Sequence, residues 1–138
     1  MMMYGKTKGF TLLEATMAMV IVAIAAAGVL LPFAQAASVH AEAARQTMAA
    51  NLASEMMEII AASPYDTIMD YNGQIENPGQ LKDSEGNYHT GSAYEGFGRS
   101  VLCQPVVVGS VNLAKVTVVV TYRNAPVTRI TTLIGNHR

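Results

Sequence analysis

The sequence holds a single cysteine, Cys103, among 138 residues, so no disulfide can close within the chain. Histidine is almost as scarce. His40, His89 and His137 are scattered, none with a second ligand at metal spacing, and no metal site is expected. No Gly-rich phosphate loop follows a strand-like run; Gly96-Phe97-Gly98 stands alone and precedes one. Serine and aspartate are plentiful, but nothing fixes them around a histidine. Cys103 has no evident base beside it, and a free, strand-buried thiol is its expected state. With no catalytic constellation, the chain is expected to be neither an enzyme nor a cofactor carrier. Basic residues are also thin. The net charge is −1, and no window beyond Lys6 and Lys8 concentrates Lys or Arg, so no nucleic-acid partner is expected.

Charge is missing from one long stretch as well. From Phe10 to Phe33 there is no Lys, Arg, His or Asp, and one charge only, Glu14. A helix crosses a bilayer with about 20 apolar residues. Lys6 and Lys8 precede the run and no acidic residue occurs among the first nine, which keeps that end cytoplasmic and the C-terminal domain outside. A cleaved secretory signal is one alternative, with Ala34-Gln35-Ala36 as its cleavage site. Against it, the apolar run from Phe10 to Leu31 exceeds the 7–15 residues or so of a signal core, and Glu14 interrupts its front. A plain signal anchor explains the length and the lysines but not the carboxylate, which costs about 2.5–3.5 kcal/mol inside a membrane span.

Lys8-Gly9-Phe10-Thr11-Leu12-Leu13-Glu14 resembles the prepilin signal of the type IV pilin and pseudopilin superfamily. The match runs residue for residue from about Lys6 to Pro32. The resemblance implies that a prepilin peptidase and methyltransferase cuts between Gly9 and Phe10 and methylates the new amine of Phe10. It also implies that Glu14, fifth from the cut, serves assembly. A physical reason fits that role. The Phe10 amine and the Glu14 carboxylate are both charges stranded at a membrane face, and pairing between neighbouring subunits compensates both. Gly28 and Pro32 lie toward the far end of the span. Pro32 lacks an N–H and crowds the Gly28 carbonyl, so a kink or local loosening is expected there. An ordinary kink at a membrane exit accounts for it equally well.

Residues 34–62 favour helix, being Ala-rich with no Gly or Pro, and Ser63-Pro64 ends it. Met48, Leu52, Met56, Ile59 and Ile60 share one arc with Ala49 and Ala53; Thr47, Asn51, Ser54, Glu55 and Glu58 share the other. Before Met48 that pattern fails, because Glu42 and Arg45 fall on the apolar side. The helix is therefore expected to meet its own domain only from about Met48. Together with the span it covers Phe10 to about Ala62, roughly 80 Å at 1.5 Å per residue. Two separate helices broken at Pro32 are the alternative.

Residues 63–98 are irregular, punctuated by Gly73, Gly79, Gly86, Gly91, Gly96 and Gly98. A short helical turn is expected between Pro64 and Tyr71. Tyr65, Tyr71, Tyr88 and Tyr94 suit either partner contacts or partly buried packing, the more common state. Asp83-Ser84-Glu85-Gly86-Asn87 is partly like a calcium loop but lacks ligands at the remaining positions, and a solvated turn is expected. Residues 99–138 read as strands. Arg99 to Val108 contains Pro105, which marks an edge or broken strand. After a Gly109-Ser110 turn comes Val111 to Tyr122, with Val116, Val118, Val120 and Tyr122 on one face. Arg123 to Pro126 is a second turn, Val127 to Ile134 a last strand, and Gly135 to Arg138 a frayed tail.

The expected fold is thus α+β, a long N-terminal helix packed on a three-stranded antiparallel meander. The expected division is leader 1–9, membrane and assembly helix 10–33, its continuation 34–62, variable loop 63–98 and sheet 99–138. The resemblance implies a filament subunit of a type IV pilus or type II secretion-type pseudopilus. Its implied partners are the prepilin peptidase, other pilin or pseudopilin subunits and an inner-membrane assembly platform. Many pilins close a C-terminal disulfide, which this chain cannot. With the small domain and the helix Ala50 to Ile60, that departure is more like a minor subunit that starts or caps a filament. A membrane-anchored or pilus-displayed adhesion module is the reading from another class.

Overall fold

The computed structural model describes residues 9–136; the basic leader residues and His137 lie outside them. The chain divides between Ala41 and Glu42 into two units. The first consists of the N-terminal part of helix α1, Leu12–Ala62, which is one element running through Pro32. In this unit every described residue except Ala15 is exposed, including Phe10, Leu13, Ile21, Ile24 and Leu31.

In the second unit the rest of α1 lies over a four-stranded antiparallel sheet of order β1-β2-β3-β4. The strands are β1 (Ile75–Glu76), β2 (Phe97–Val108), β3 (Val111–Tyr122) and β4 (Ala125–Gly135). The helix ends where the sequence places its end, with the Ser63 N–H closing on the Ile60 carbonyl just before Pro64. Its buried side chains, Ala49, Leu52, Ala53, Met56 and Ile60, recur at the three- and four-residue spacing of one helix face. They meet Val101, Cys103, Ala114, Val116, Val118 and Val120 from the sheet. Alternation in β3 is strict: Ala114, Val116, Val118 and Val120 are fully buried and the residues between them are not. At about 25 cal/mol per Å² of apolar surface, this helix-on-sheet layer is the main source of the domain's stability.

The sheet has four strands rather than three. The added strand is only two residues long, pairing Ile75 and Glu76 with Ser100 and Arg99, too short to leave an alternating pattern. β2 begins at Phe97 rather than Arg99 and is unbroken at Pro105. Because β1 ends its pairing at Ser100, Pro105 has no ladder partner on that side and its missing N–H is tolerated. The β2–β3 hairpin turns on Gly109 and Ser110, with Gly109 at φ 62° as a two-residue II′ turn requires. The next turn is shorter than expected. Arg123 and Asn124, at φ 50° and 67°, make a two-residue I′ turn, and Ala125 and Pro126 belong to β4. Val120 opposes Thr128 while Thr121 opposes Pro126, so Val127 is the extra residue of a bulge. Gly135 pairs with Leu113 and is part of the strand, not of a tail.

Between α1 and β2, a 3-10 helix covers Tyr65–Tyr71, the turn expected there, and buries Ile68. A second, Ser92–Tyr94, precedes β2. Tyr65, Tyr71 and Tyr94 pack against the core while Tyr88 is exposed beside the Lys82 ammonium.

Candidate functional site

At the N-terminal end, Gly9 and Phe10 stand just outside α1, with Phe10 74% exposed. Thr11 occupies the capping position. Its Oγ1 accepts a hydrogen bond from the Glu14 N–H at 3.3 Å, and its carbonyl receives the Ala15 N–H at 3.0 Å. Thr11-Leu12-Leu13-Glu14 is therefore a helix-start signature of the S/T-x-x-E kind. Glu14 lies in the first turn, where the unsatisfied N–H groups and the positive end of the macrodipole favour a carboxylate. That local stabilisation, which the sequence reading did not invoke, lowers the penalty of holding a charge at the head of an apolar run. Gly28 and Pro32 both lie within α1, and nothing approaches within 4 Å of where a Gly28 side chain would start. The helix contains an 18-residue window of mean hydropathy 2.5 and is long and apolar enough to cross a membrane.

The second unit holds a charge cluster that sequence reasoning missed. Arg99 is 2% exposed on the core face of β2. Its Nε donates to Glu76 Oε2 at 2.8 Å, and Nη2 lies 2.6 Å from the same oxygen. Nη1 donates to the Leu52 carbonyl at 3.0 Å and Nη2 to the Lys82 carbonyl at 2.7 Å. Glu55 Oε2 stands 3.7 Å from Nη1 and shares a 3.0 Å hydrogen bond with His89 Nε2. The His89 ring in turn stacks on Tyr94 at 4.5 Å. One guanidinium thus ties α1, β1, the 82–89 loop and β2 together. The available signal was phase: Arg99 alternates with Phe97, Val101 and Cys103, all buried. Every arm of the cluster is internally satisfied, and its arrangement suits holding the loop rather than binding a ligand.

Other sequence candidates have structural roles. Asp83 Oδ1 accepts the N–H groups of Asn87 at 2.8 Å and Glu85 at 2.9 Å. The Asn87 backbone bond foremost holds the Asp83 carboxyl below its usual range. That oxygen closes its own turn. Among the described residues no group of three or more His, Cys, Asp or Glu could hold a metal ion. The guanidinium groups of Arg45 and Arg123 stand 5.5 and 5.3 Å from the centre of the Tyr122 ring. Arg45 also bonds Glu42, and that bond holds the Glu42 carboxyl below its usual range. Cys103 is free and buried, its N–H donating to Asn72 Oδ1 at 2.9 Å. Desolvation raises its thiol pKa, so both access and thiolate fraction are low. Maleimide labelling of the folded protein at pH 8 is accordingly expected to be about 100-fold or more slower than in denaturing urea. Equal rates in the two states contradict the burial.

A capped apolar helix with one first-turn carboxylate thus leads into a helix-on-sheet domain. Residues 5–30 match the family model described as the prokaryotic N-terminal methylation motif. No curated protein and no solved structure matches the chain. The motif is that of a structural family rather than an enzyme family, and it ends at residue 30, short of the helix-on-sheet domain.

Proposed function

We propose that this chain is a structural subunit of a type IV pilus or type II secretion-type pseudopilus, cut after Gly9, methylated on Phe10 and assembled through α1. The observation that carries the reading is the motif match over residues 5–30 with Glu14 fifth from Phe10 in the first helical turn. Before assembly the helix crosses the inner membrane once, with Lys6 and Lys8 cytoplasmic and the domain periplasmic. In the filament, Glu14 of one subunit pairs with the Phe10 amine of its neighbour, and the Gly28–Pro32 stretch loosens as helices pack. The finer reading is a minor subunit acting at the start or tip of the filament. It draws support from the small domain, the absence of a disulfide and the composition of Ala50 to Ile60.

Intact-mass measurement of the membrane-extracted protein tests the core of this proposal. The expected mass is that of a chain beginning at Phe10 with one added methyl. Cleavage beside Ala36, or an uncut chain, overturns it. Subunit stoichiometry in sheared filaments then tests the minor assignment, with a ratio near that of the main subunit counting against it.

A further inference from the structure

All ten carboxylate side chains precede Phe97 in the sequence. From Gly96 to the C-terminus there is no Asp or Glu, while Arg99, Lys115, Arg123, Arg129 and Arg138 are cationic. The fold turns that linear segregation into two surfaces. Strand phase puts Val116, Val118 and Val120 against α1, so Lys115 and its register partner Leu133 stand on the opposite, outer face. Arg129, opposite Val119, shares that face with Leu102 and with Val108 and Val111, which pair across the hairpin. Leu102, Val108, Val111 and Leu133 are each about half exposed, at 48–57%. Neither Lys115 nor Arg129 takes part in an ion pair among the described residues. Both are exposed, and no carboxylate interrupts the face.

The exposed carboxylates lie away from that face. Glu58 lies two residues from both Met56 and Ile60, which are buried, so it points away from the sheet, and it is exposed. Asp70, on the 3-10 helix that follows, is exposed too. A cationic face with exposed carboxylates lying away from it is suited to a head-to-tail contact, which propagates instead of closing into a two-fold pair.

Resting on the filament reading above, we infer that the outer face of the sheet is a docking surface for the acidic, helix-borne face of a neighbouring subunit of the same fold. Apolar contact from Leu102, Val108, Val111 and Leu133 supplies the association. Lys115 and Arg129 set its orientation, because a cationic partner face there is repelled. Only two exposed cations lie among these apolar residues, which suits an acidic protein surface better than a phosphate backbone.

The test uses the full-length chain in cells, with photo-reactive benzoylphenylalanine replacing Thr131, an exposed outer-face residue between Arg129 and Leu133. Irradiation is expected to give adducts whose linked peptide is the acidic helix face of a pilin-fold subunit; in a second copy of this chain that peptide spans Glu58 to Asp70. Lys115→Glu combined with Arg129→Glu is expected to lower the yield by about tenfold, whereas Arg129→Lys leaves it unchanged. If the double variant fails to accumulate, Arg129→Gln alone is expected to lower the yield. Adducts that ignore these charges, or that form only with lipid, nucleic acid or a protein of another fold, overturn the inference. Intact mass from the same cells separates the two failures. A mature chain starting at Phe10 and present in sheared filaments, yet giving no adduct, sinks the docking face alone. A chain cut elsewhere sinks the filament reading and the docking face with it.

Discussion

Glu14→Ala is expected to leave membrane insertion and cleavage after Gly9 intact while nearly abolishing recovery of the chain in sheared filaments. Removing the carboxylate makes the span more apolar, by about 2.5–3.5 kcal/mol on insertion scales, so retention in the membrane fraction does not fall. The loss arises one step later. On the proposed processing and assembly, cleavage leaves a cationic amine at Phe10, and that charge meets the Glu14 of a neighbour at a desolvated contact. An unpaired buried charge is destabilising by about 3–5 kcal/mol, which is roughly two to three and a half orders of magnitude in an association constant. Helix capping is a separate contribution and is controlled by Glu14→Gln. That variant keeps a side chain suited to the third helical position after Thr11 but removes the charge. If Glu14→Gln assembles as the parent does, Glu14 is a capping residue only. If both variants stay in the membrane, cleaved but unassembled, the charge is what assembly uses.

The readable parts of this fold are those whose pattern repeats. β3 was legible to the residue because four buried side chains alternate without interruption from Ala114 to Val120. The end of α1 was legible because Ser63-Pro64 follows a stretch without Gly or Pro. β1 was not, since two residues set no period and its pairing comes wholly from β2. The start of β4 was obscured by two exceptions to local rules. Arg123 adopts a left-handed conformation uncommon for a residue with a Cβ, and Pro126 sits inside a strand. The proline is tolerated because β4 is an edge strand with a bulge at Val127, where one missing N–H leaves no ladder bond unmade; Arg123 takes the positive φ that a I′ turn requires.

The site divides in the same way. The motif that holds Gly9, Phe10 and Glu14 was legible because a short linear sequence carries it, and residues 5–30 match the N-terminal methylation motif. The Thr11 cap was visible in that sequence too, as a threonine three residues before a glutamate, but passed unnoticed beside the methylation motif. Arg99, Glu76, Glu55 and His89 are far apart in the chain, and only the fold joins them. Glu55 had been placed with the outward arc of α1; it is instead partly covered, because the 82–89 loop closes over it through His89. Outer-face apolar residues such as Leu102 and Leu133 carry no signal of their own. Their meaning depends on which side of the sheet the helix occupies.

Arg99→Met is expected to destabilise the helix-on-sheet domain by about 3–5 kcal/mol, a large part of the 5–15 kcal/mol typical of a domain. The reason is what it leaves behind. Glu76 is 7% exposed and has Arg99 as its one ion-pair partner among the described residues, so its carboxylate becomes a buried charge without compensation. The Leu52 and Lys82 carbonyls lose their guanidinium donors at the same time. The double variant Arg99→Met, Glu76→Gln separates these effects, because it removes the orphaned charge along with the cation. It is expected to recover a substantial part of the loss, with a coupling in the 0.5–3 kcal/mol range typical of contacting residues. Cys103 offers the readout. Its buried thiol, beside Asn72 at the far end of the same core face, reacts only when the sheet opens, so its labelling rate follows the opening equilibrium. A 3 kcal/mol loss raises that rate roughly 100-fold for Arg99→Met, and the double variant falls between it and the parent. If Arg99→Met labels at the parental rate, the cluster is not what fastens the loop and β1 to the helix. If the double variant labels faster than Arg99→Met, the destabilisation comes from lost hydrogen bonds rather than from an uncompensated Glu76.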